Sequence, residues 1–314
     1  MANQVPTYFI TQFTDQVEYL AQQMDSRFWD LSSQKEYMGS GAVATEQVGA
    51  TYVTPVTGRG QPVQMTDTPA GRRWIYPNKG VVNDFVDTFE ELEMAISPRG
   101  WIAGAQVAAM NRYKDDIWLS NFFGTAQTLN TSTTGNAPST AVTFPTTQIV
   151  NSYVGTSGTS VATGMNVPKL RAARKLFLAA EVDLKNDPAA VGMNAVQLDN
   201  MLNQAQAISL DFQDKPVLVE GQITRFMGFE FVHSERIPKA GTDSSGSAGN
   251  AGTLTQNPVW VRSGMRSGTW IAEKTDMFQR NDLTARPWQV SSWIMIGATR
   301  LQEVKCVQIN NVES

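Results

Sequence analysis

The chain has 314 residues with 25 basic and 29 acidic side chains, so it lacks the basic excess by which proteins neutralise nucleic-acid phosphates. Its single cysteine, Cys306, excludes an internal disulfide, and together with the single histidine, His233, it supplies too few ligands for a zinc site. No secretory signal opens the sequence and no apolar run is long enough to span a bilayer, which favours a soluble protein made in a cytoplasm.

The first predicted element is an amphipathic helix near the N-terminus. Apolar residues recur every three or four positions, and glutamines fill the positions between them. The apolar stripe consists of Phe9, Phe13, Val17, Leu20, Met24, Phe28 and Leu31. Such a stripe either packs on its own domain or docks on a neighbouring chain, and the sequence leaves both alternatives open.

Residues 39–80 predict an extended β-hairpin. Seven glycines and four prolines interrupt short β-type pieces such as Thr51–Val53 and prevent long helices. The segment is too poor in large apolar residues to bury itself. A long excursion of this kind is usually functional or is braced by something outside its own domain.

The strongest helix is predicted from Pro98 to Phe123. Ser97 is a suitable N-cap, Pro98 suits the first turn, and Gly124 ends the helix. Two apolar faces indicate that both sides are partly covered. One face has Ile102, Ala105, Ala109, Tyr113, Ile117, Ser120 and Phe123, and the other has Trp101, Ala108, Trp118 and Phe122.

An uncharged stretch, residues 117–168, follows without a single Asp, Glu, Lys, Arg or His. Disordered linkers typically carry charge, so the second half of this stretch is interpreted as a polar β-loop region. A helix then begins at Asn166–Pro168 and runs toward Val182. Residues 240–252 form a Gly/Ser-rich surface loop.

The remaining elements are short, and their alternation with turns predicts an α+β protein. Besides a helix near 195–205, strands are expected at 189–193, 217–219, 229–232, 259–261, 269–271, 287–298 and 303–309, with a short turn between the last two.

No constellation of residues suggests catalysis. His233 is the only imidazole that could activate a nucleophile, and it ends an alternating strand. Asp116 is expected to form a surface pair with Arg112, and the acidic run at residues 84–93 is typical of a solvated face. No phosphate-binding loop is present. We therefore expect no enzyme, no cofactor and no metal, and instead a chain that completes itself against copies of itself.

Three blocks in order along the chain resemble the major capsid proteins of tailed bacteriophages. They are Met65–Trp74, Met227–Pro238 and Ile294–Lys305. The resemblance spans nearly the whole chain and implies the Hong Kong 97-type capsid fold. It departs from members that crosslink their shells through a lysine, because no lysine occurs between Lys35 and Lys79.

The resemblance implies a domain organisation. It assigns residues 1–36 to an N-terminal arm, 37–80 to an extended β-loop, 81–185 to a peripheral domain with a spine helix at 98–123, 186–288 to an axial domain, and 289–314 to C-terminal strands that return to the peripheral domain.

The function implied is a major capsid protein whose hexamers and pentamers form the icosahedral shell around a double-stranded DNA genome. Expected partners are scaffold, portal and decoration proteins, with weak, non-specific contact to the packaged DNA and none to membranes. The subunit would be made in the host bacterial cytoplasm and located in the virion. The alternatives are an encapsulin-type compartment shell and, in a different class, a glycan-binding adhesin or tail-associated protein.

Contacts between subunits are expected from two sets of residues. Phe9, Phe13, Val17 and Leu20 would bury the stripe of the arm on a neighbour. Arg72 and Arg73 would pair across subunits with the acidic run, whose members include Asp84, Asp87, Glu90 and Glu91.

Overall fold

A computed structural model gives the structure of the chain, and the statements below concern the residues that it describes. These are residues 20–39, 42–56, 58–60, 62–63, 65–86, 99–129, 138–155, 162–204, 218–219, 222–223, 225–240, 254–284 and 286–313. They contain three α-helices, α1 (Arg99–Phe123), α2 (Val167–Ala179) and α3 (Ala195–Leu202). None of these helices combines the length and the hydropathy needed to cross a membrane.

Seventeen strands accompany the helices in the described residues, which makes the fold α+β as predicted. The first eight are β1 (Ser33–Glu36), β2 (Ala42–Val48), β3 (Ala70–Ile75), β4 (Asn78–Val86), β5 (Ala126–Leu129), β6 (Pro138–Val142), β7 (Ile149–Val150) and β8 (Ala189–Met193). The others are β9 (Leu218–Val219), β10 (Gln222–Ile223), β11 (Arg225–Phe226), β12 (Phe229–His233), β13 (Lys239–Ala240), β14 (Leu254–Val261), β15 (Met265–Gln279), β16 (Trp288–Arg300) and β17 (Cys306–Val312).

The strands form four sheets. The largest has the order β11-β12-β8-β14-β17-β7, with β13 added to β14. Two four-stranded sheets have the orders β1-β15-β16-β4 and β2-β3-β5-β6, and β9 pairs only with β10. Strand β8 lies parallel to β12 and antiparallel to β14, so it is paired on both sides, and all five of its residues are buried.

The chain divides into two compact units. The first takes its described residues from the ranges 1–26, 79–114 and 271–295. Its core is formed by Val86, Ile102 and Val290. Within the same unit, the buried amide of Gln106 donates to the carbonyl of Val290 at 3.0 Å and accepts from the hydroxyl of Ser292 at 2.8 Å.

The second unit comprises residues 27–78, 115–270 and 296–314. Its main core lies between the large sheet and helix α2, which buries Leu170, Ala173 and Phe177 at helical spacing. Opposite them, the inward side chains of β8, β14 and β17 are apolar, among them Val191, Val259, Val307 and Ile309.

The ends of the helices follow the local signals in the sequence. Asn166 caps α2 by accepting a hydrogen bond from the backbone N–H of Lys169 at 3.0 Å, and Pro168 lies in the first turn. A capping box of Asn194 and Gln197 begins α3. Gly124 follows the last residue of α1, as predicted, and its N–H bonds to the carbonyl of Ser120. The predicted positions of all three helices are therefore confirmed.

One feature differs from the sequence-based expectations, and one predicted segment lies almost wholly outside the described residues. Residues 20–28 are not helical, so the amphipathic helix predicted to Leu31 is wrong over this part, and Phe28 is fully buried instead of lying on a free stripe. Helix α1 buries Trp118 and Phe122 more deeply than Ile117 and Phe123. The predicted loop at 240–252 lies outside the described residues except for Ala240, which belongs to β13.

The two C-terminal strands have different partners. Strand β16 joins the sheet of β4 and β15, and β17 pairs with β14 along seven residues. A short 3-10 turn at Glu303–Lys305 separates β16 from β17, and the two strands belong to different sheets. The apolar pattern of 303–309 indicates a buried strand but does not specify its partner.

Candidate assembly surface

The predicted extended hairpin is present in the structure. Strands β2 and β3 pair antiparallel from Ala42 opposite Ile75 to Val48 opposite Ala70. Beyond the ladder, the N–H of Gly49 donates to the carbonyl of Pro69 at 2.7 Å. The pairing therefore continues into residues 49–69, and we call this segment the projecting loop.

The projecting loop carries apolar side chains that no other part of the described structure covers. Each of five residues is at least 80% exposed, and they are Tyr52 (80%), Val53 (94%), Val56 (81%), Val63 (92%) and Met65 (95%). Single exposed apolar residues are common on protein surfaces, but a group of this kind marks a surface that is covered by a partner. The projecting loop is thus the first candidate for contact with another chain.

The base of the hairpin, in contrast, is firmly packed. Arg73 is buried, and its guanidinium donates to the carbonyl of Leu301 at 3.2 Å and to the carboxylate of Glu303 at 2.5 Å. The side-chain amide of Gln47 donates to the same carbonyl of Leu301. Tyr37 and Ile75 lie in a small apolar cluster with Leu301. The hairpin therefore projects from a fixed base.

The two arginines predicted to pair across subunits have partners within their own chain. Arg72 forms an ion pair with Glu46, the residue opposite it in the β2–β3 register, at 2.6 Å. Arg73 pairs with Glu303, and no local sequence pattern indicates this partner because the two residues are 230 positions apart. Asp84 is exposed. The other acidic residues of the prediction, Asp87, Glu90 and Glu91, lie outside the described residues, so the pairing across subunits stays a prediction.

The end of the N-terminal arm contacts the middle of α1. Arg112 donates to the side chain of Gln22 at 2.8 Å and to the carbonyl of Gln23 at 3.1 Å. Asn111 donates to the carbonyl of Met24 at 3.0 Å. Leu20 is 88% exposed, whereas the other predicted contact residues of the arm, Phe9, Phe13 and Val17, lie outside the described residues.

The root of the arm is held by a buried carboxylate. The backbone N–H groups of Arg27 and Phe28 both donate to Asp115, at distances of 3.0 to 3.2 Å. Asp115 is fully buried. Its neighbour Asp116 pairs with Arg236, so the predicted pair of Asp116 with Arg112 is wrong.

An aromatic cluster surrounds this root. The ring of Phe28 stacks on Trp118 with centroids 5.1 Å apart, and Trp118 meets Trp260 edge to face at 4.6 Å. The indole N–H of Trp260 donates to the carbonyl of Leu31 at 2.9 Å. Phe28 is therefore part of the core of the second unit.

Arg300 connects the end of α1 to the uncharged stretch. Its fully buried guanidinium donates to the carbonyls of Asn121 (3.2 Å), Phe122 and Gly124 (2.5 Å), which α1 leaves without partners at its C-terminus. It also donates to the carbonyl of Val142 on β6 at 3.1 Å. Burial lowers the pKa of Arg300 from its ordinary value.

Glu313 fixes the chain beyond β17 to α3. Its carboxylate accepts from the side chains of Asn194 at 2.5 Å and Thr255 at 2.7 Å, and it pairs with Lys239. Burial alone would raise the pKa of Glu313, but these three hydrogen bonds outweigh it and hold the pKa below its ordinary value.

The two side chains most capable of catalysis, Cys306 and His233, lie in surroundings typical of structural residues. Burial raises the pKa of Cys306 to about 12, which keeps the thiol protonated and unreactive. His233 lies between the guanidinium of Arg27 at 3.2 Å and the carboxylate of Glu235 at 3.0 Å, with no nucleophile in this arrangement. Among the described residues, no group of three or more metal-ligating side chains occurs.

Comparisons with known proteins place these features in context. The model of the family described as phage capsid protein matches residues 5–313. The capsid of cyanophage P-SCSP1u is 15% identical, with a TM-score of 0.70 over 100% of this chain and 97% of that one. The capsid of Ralstonia phage GP4 is 12% identical, with a TM-score of 0.71 over 100% and 98%. Cyanophage Pam1 gives 11% identity and a TM-score of 0.70 over 99% of both chains. Among curated protein sequences, none matches.

Proposed function

Because this chain belongs to the phage capsid protein family and is a major capsid protein that forms a phage shell, we propose that its copies assemble as hexamers and pentamers into an icosahedral shell around double-stranded DNA. The fold is of the Hong Kong 97 type, and the protein is a structural component of the virion. In this proposal the subunit is made in the host bacterial cytoplasm and has no enzymatic activity.

The observation that carries the proposal is the contrast along the extended hairpin. Its base is held by Arg73 and Gln47, whereas five apolar side chains of the projecting loop stay in solvent. Burying each of them contributes about 1.5–3 kcal/mol at most, hence on the order of 10 kcal/mol per subunit before the cost of association. A neighbouring copy of the chain is the surface that we propose to bury them.

The proposal extends to the arm and to other partners. Leu20 and the preceding stripe residues Phe9, Phe13 and Val17 would pack on an adjacent copy. Scaffold, portal and decoration proteins would contact the assembled shell. The net charge of −4 suits an inner wall along which packaged DNA slides without sticking. The domain boundaries at residues 36, 80, 185 and 288 remain part of this proposal.

Substitution of the projecting loop tests the proposal. We expect V53D/V63D to leave the subunit folded, since both side chains are more than 90% exposed, and to prevent shell formation, since each carboxylate would be buried against a neighbour. Val196, which is 37% exposed on α3, supplies the control V196D, which should still form shells.

Electron microscopy and sedimentation of the purified proteins give the result. Normal shells from V53D/V63D would contradict a role of the projecting loop in assembly. Nuclease-protected, genome-length DNA inside wild-type shells supports a virion, whereas an enclosed protein cargo would indicate an encapsulin-type compartment. Small oligomers that bind glycans would favour an adhesin.

A further inference from the structure

Helix α2 has a second face that its core does not use. The buried face packs Leu170 and Phe177 into the second unit. The opposite face lines an open groove of about 710 Å³ together with Met227, in the turn between β11 and β12. The groove lies within this unit and has no part in the contacts of the arm or the projecting loop described above.

The groove is cationic. Arg171, Arg174 and Lys175 lie three and four positions apart and therefore share one side of the helix. The guanidinium of Arg174 is fixed by a 2.6 Å hydrogen bond to the carbonyl of Met227. In the described part of the chain, no carboxylate forms an ion pair with any of the three. Like charges so close together repel, so an anionic occupant would stabilise this face.

The lining between these cations is apolar. Leu178 is 56% exposed, and Ala172 and Met227 lie beside it in the groove. The phosphates of nucleic acid would neutralise the cations but leave Leu178 uncovered. A polypeptide segment that alternates carboxylates with large apolar side chains satisfies both parts of the surface.

The chain itself contains such a segment. Between Lys79 and Arg99 the sequence has five acidic residues and no cation, and its apolar residues include Phe85, Phe89 and Leu92. Phe85, at the described end of the run, is 48% exposed. The cations first expected to pair with this run already have carboxylate partners, because Arg72 bonds to Glu46 and Arg73 to Glu303.

We propose that the acidic run at residues 84–93 of one copy docks in the cationic groove of α2 on another copy. The inference rests on the proposed function, because only assembly brings the two surfaces of different copies together. It assigns the acidic run a partner other than Arg72 and Arg73. Charge complementarity and the matching apolar residues select this occupant.

Charge reversal in the groove is the first test. We expect R171E/K175E to raise the subunit concentration needed for shell assembly about tenfold or more, the effect of replacing at least two attractive pairs by repulsive ones. The melting temperature of the unassembled subunit should not change. The control K185E/R262E makes the same change in charge at two exposed cations outside the groove and should assemble normally.

Reversal of the run is the second test. E90K/E91K should impair assembly to a similar degree, and the chain that combines all four substitutions should recover most of it, because the pairs are restored with opposite sign. Normal assembly of R171E/K175E, or failure of the combined chain to recover, would overturn the inference.

Two further results would also overturn it. A lower melting temperature of the R171E/K175E subunit would indicate that the run docks within its own chain. Weaker binding of a short DNA duplex by R171E/K175E, with unchanged assembly, would assign the groove to nucleic acid. If the wild-type chain forms no shells, the proposed function itself fails, which is a separate outcome.

Discussion

Replacing Arg300 with methionine tests how the C-terminal end of α1 is stabilised. The guanidinium donates to three carbonyls at the end of α1, those of Asn121, Phe122 and Gly124, and to the carbonyl of Val142 on β6. Methionine replaces the aliphatic part of the arginine side chain, does not reach the position of the guanidinium and donates no hydrogen bond. The R300M variant therefore leaves four carbonyls without this donor.

The magnitude follows from these contacts. A buried acceptor that loses its donor costs about 1 kcal/mol or more, so four of them would cost about 4 kcal/mol. Methionine also removes the cost of burying the guanidinium, the cause of the lowered pKa of Arg300, which offsets part of the loss. We expect R300M to lower the free energy of unfolding by about 2–4 kcal/mol. R300K should lose about half as much, since it keeps a charged donor but not the planar group that lies over the ring of Phe144 at 5.2 Å.

Urea unfolding of the unassembled subunit measures both values. The V53D/V63D background would keep the chain from assembling, so that the free energy of unfolding belongs to the subunit alone. A loss below about 1 kcal/mol in R300M would refute the reasoning, since the four carbonyls would then find other partners. A larger loss in R300K than in R300M would show that burial of the charge outweighs the hydrogen bonds.

Two other predictions concern charged pairs within the chain. In urea unfolding, R73E should destabilise the subunit by about 3 kcal/mol or more, because it places a carboxylate beside the partly buried Glu303. R72E faces the exposed Glu46 and should cost less than about 1 kcal/mol. Similar losses of stability in the two variants would contradict the difference in burial between the two pairs. E313Q should cost about 1 kcal/mol at pH 7. Because the folded pKa of Glu313 is lowered, the difference in stability from wild type should be constant well above pH 4.5 and decrease as the pH falls through the lowered pKa. A difference that does not decrease below pH 4.5 would exclude the ionised carboxylate as its source.

The first of these pairs changes an expectation drawn from the sequence. If Arg72 and Arg73 paired only across subunits, reversing both charges would leave the subunit folded and prevent assembly alone. The structure makes this true of Arg72 alone, since Arg73 is 6% exposed and bonded to Glu303. Loss of shells in the double variant would therefore not distinguish a failed interface from a failed fold.

The elements that could be predicted from the sequence are those with local signals. The cap at Asn166, the stop at Gly124 and the glycines and prolines around the projecting loop each act within a few residues. Helices α1 and α2 and the hairpin of β2 and β3 were predicted for this reason. The uncharged stretch was interpreted as β-loop structure, and its strands β5 and β6 pair with each other.

The features that could not be predicted depend on partners distant in sequence. No sequence pattern indicates that Asp115 accepts hydrogen bonds from the backbone N–H groups of Arg27 and Phe28, which are 88 and 87 residues away. Arg300 lies in Ile294–Lys305, one of the three blocks that resemble phage capsid proteins, but no local pattern indicates its hydrogen bonds to α1 and β6. The helix predicted through Leu31 failed because Phe28 packs on Trp118, and this tertiary contact outweighs the helical spacing.

Two strands of the uncharged stretch, β5 and β6, contribute to the base of the extended hairpin and to the end of α1. Strand β5 pairs with β3 at the base of the extended hairpin, with Arg73 opposite Thr128, and the hydroxyl of Thr128 donates to the carbonyl of Arg72 at 2.9 Å. Arg300 joins the next strand, β6, to the end of α1. Contacts within a single chain are thus sufficient to order the base of the hairpin, without contacts to a neighbouring subunit. A loop presented from such a base loses less conformational entropy on binding, so more of the energy of burying its exposed apolar residues is available to hold the shell together.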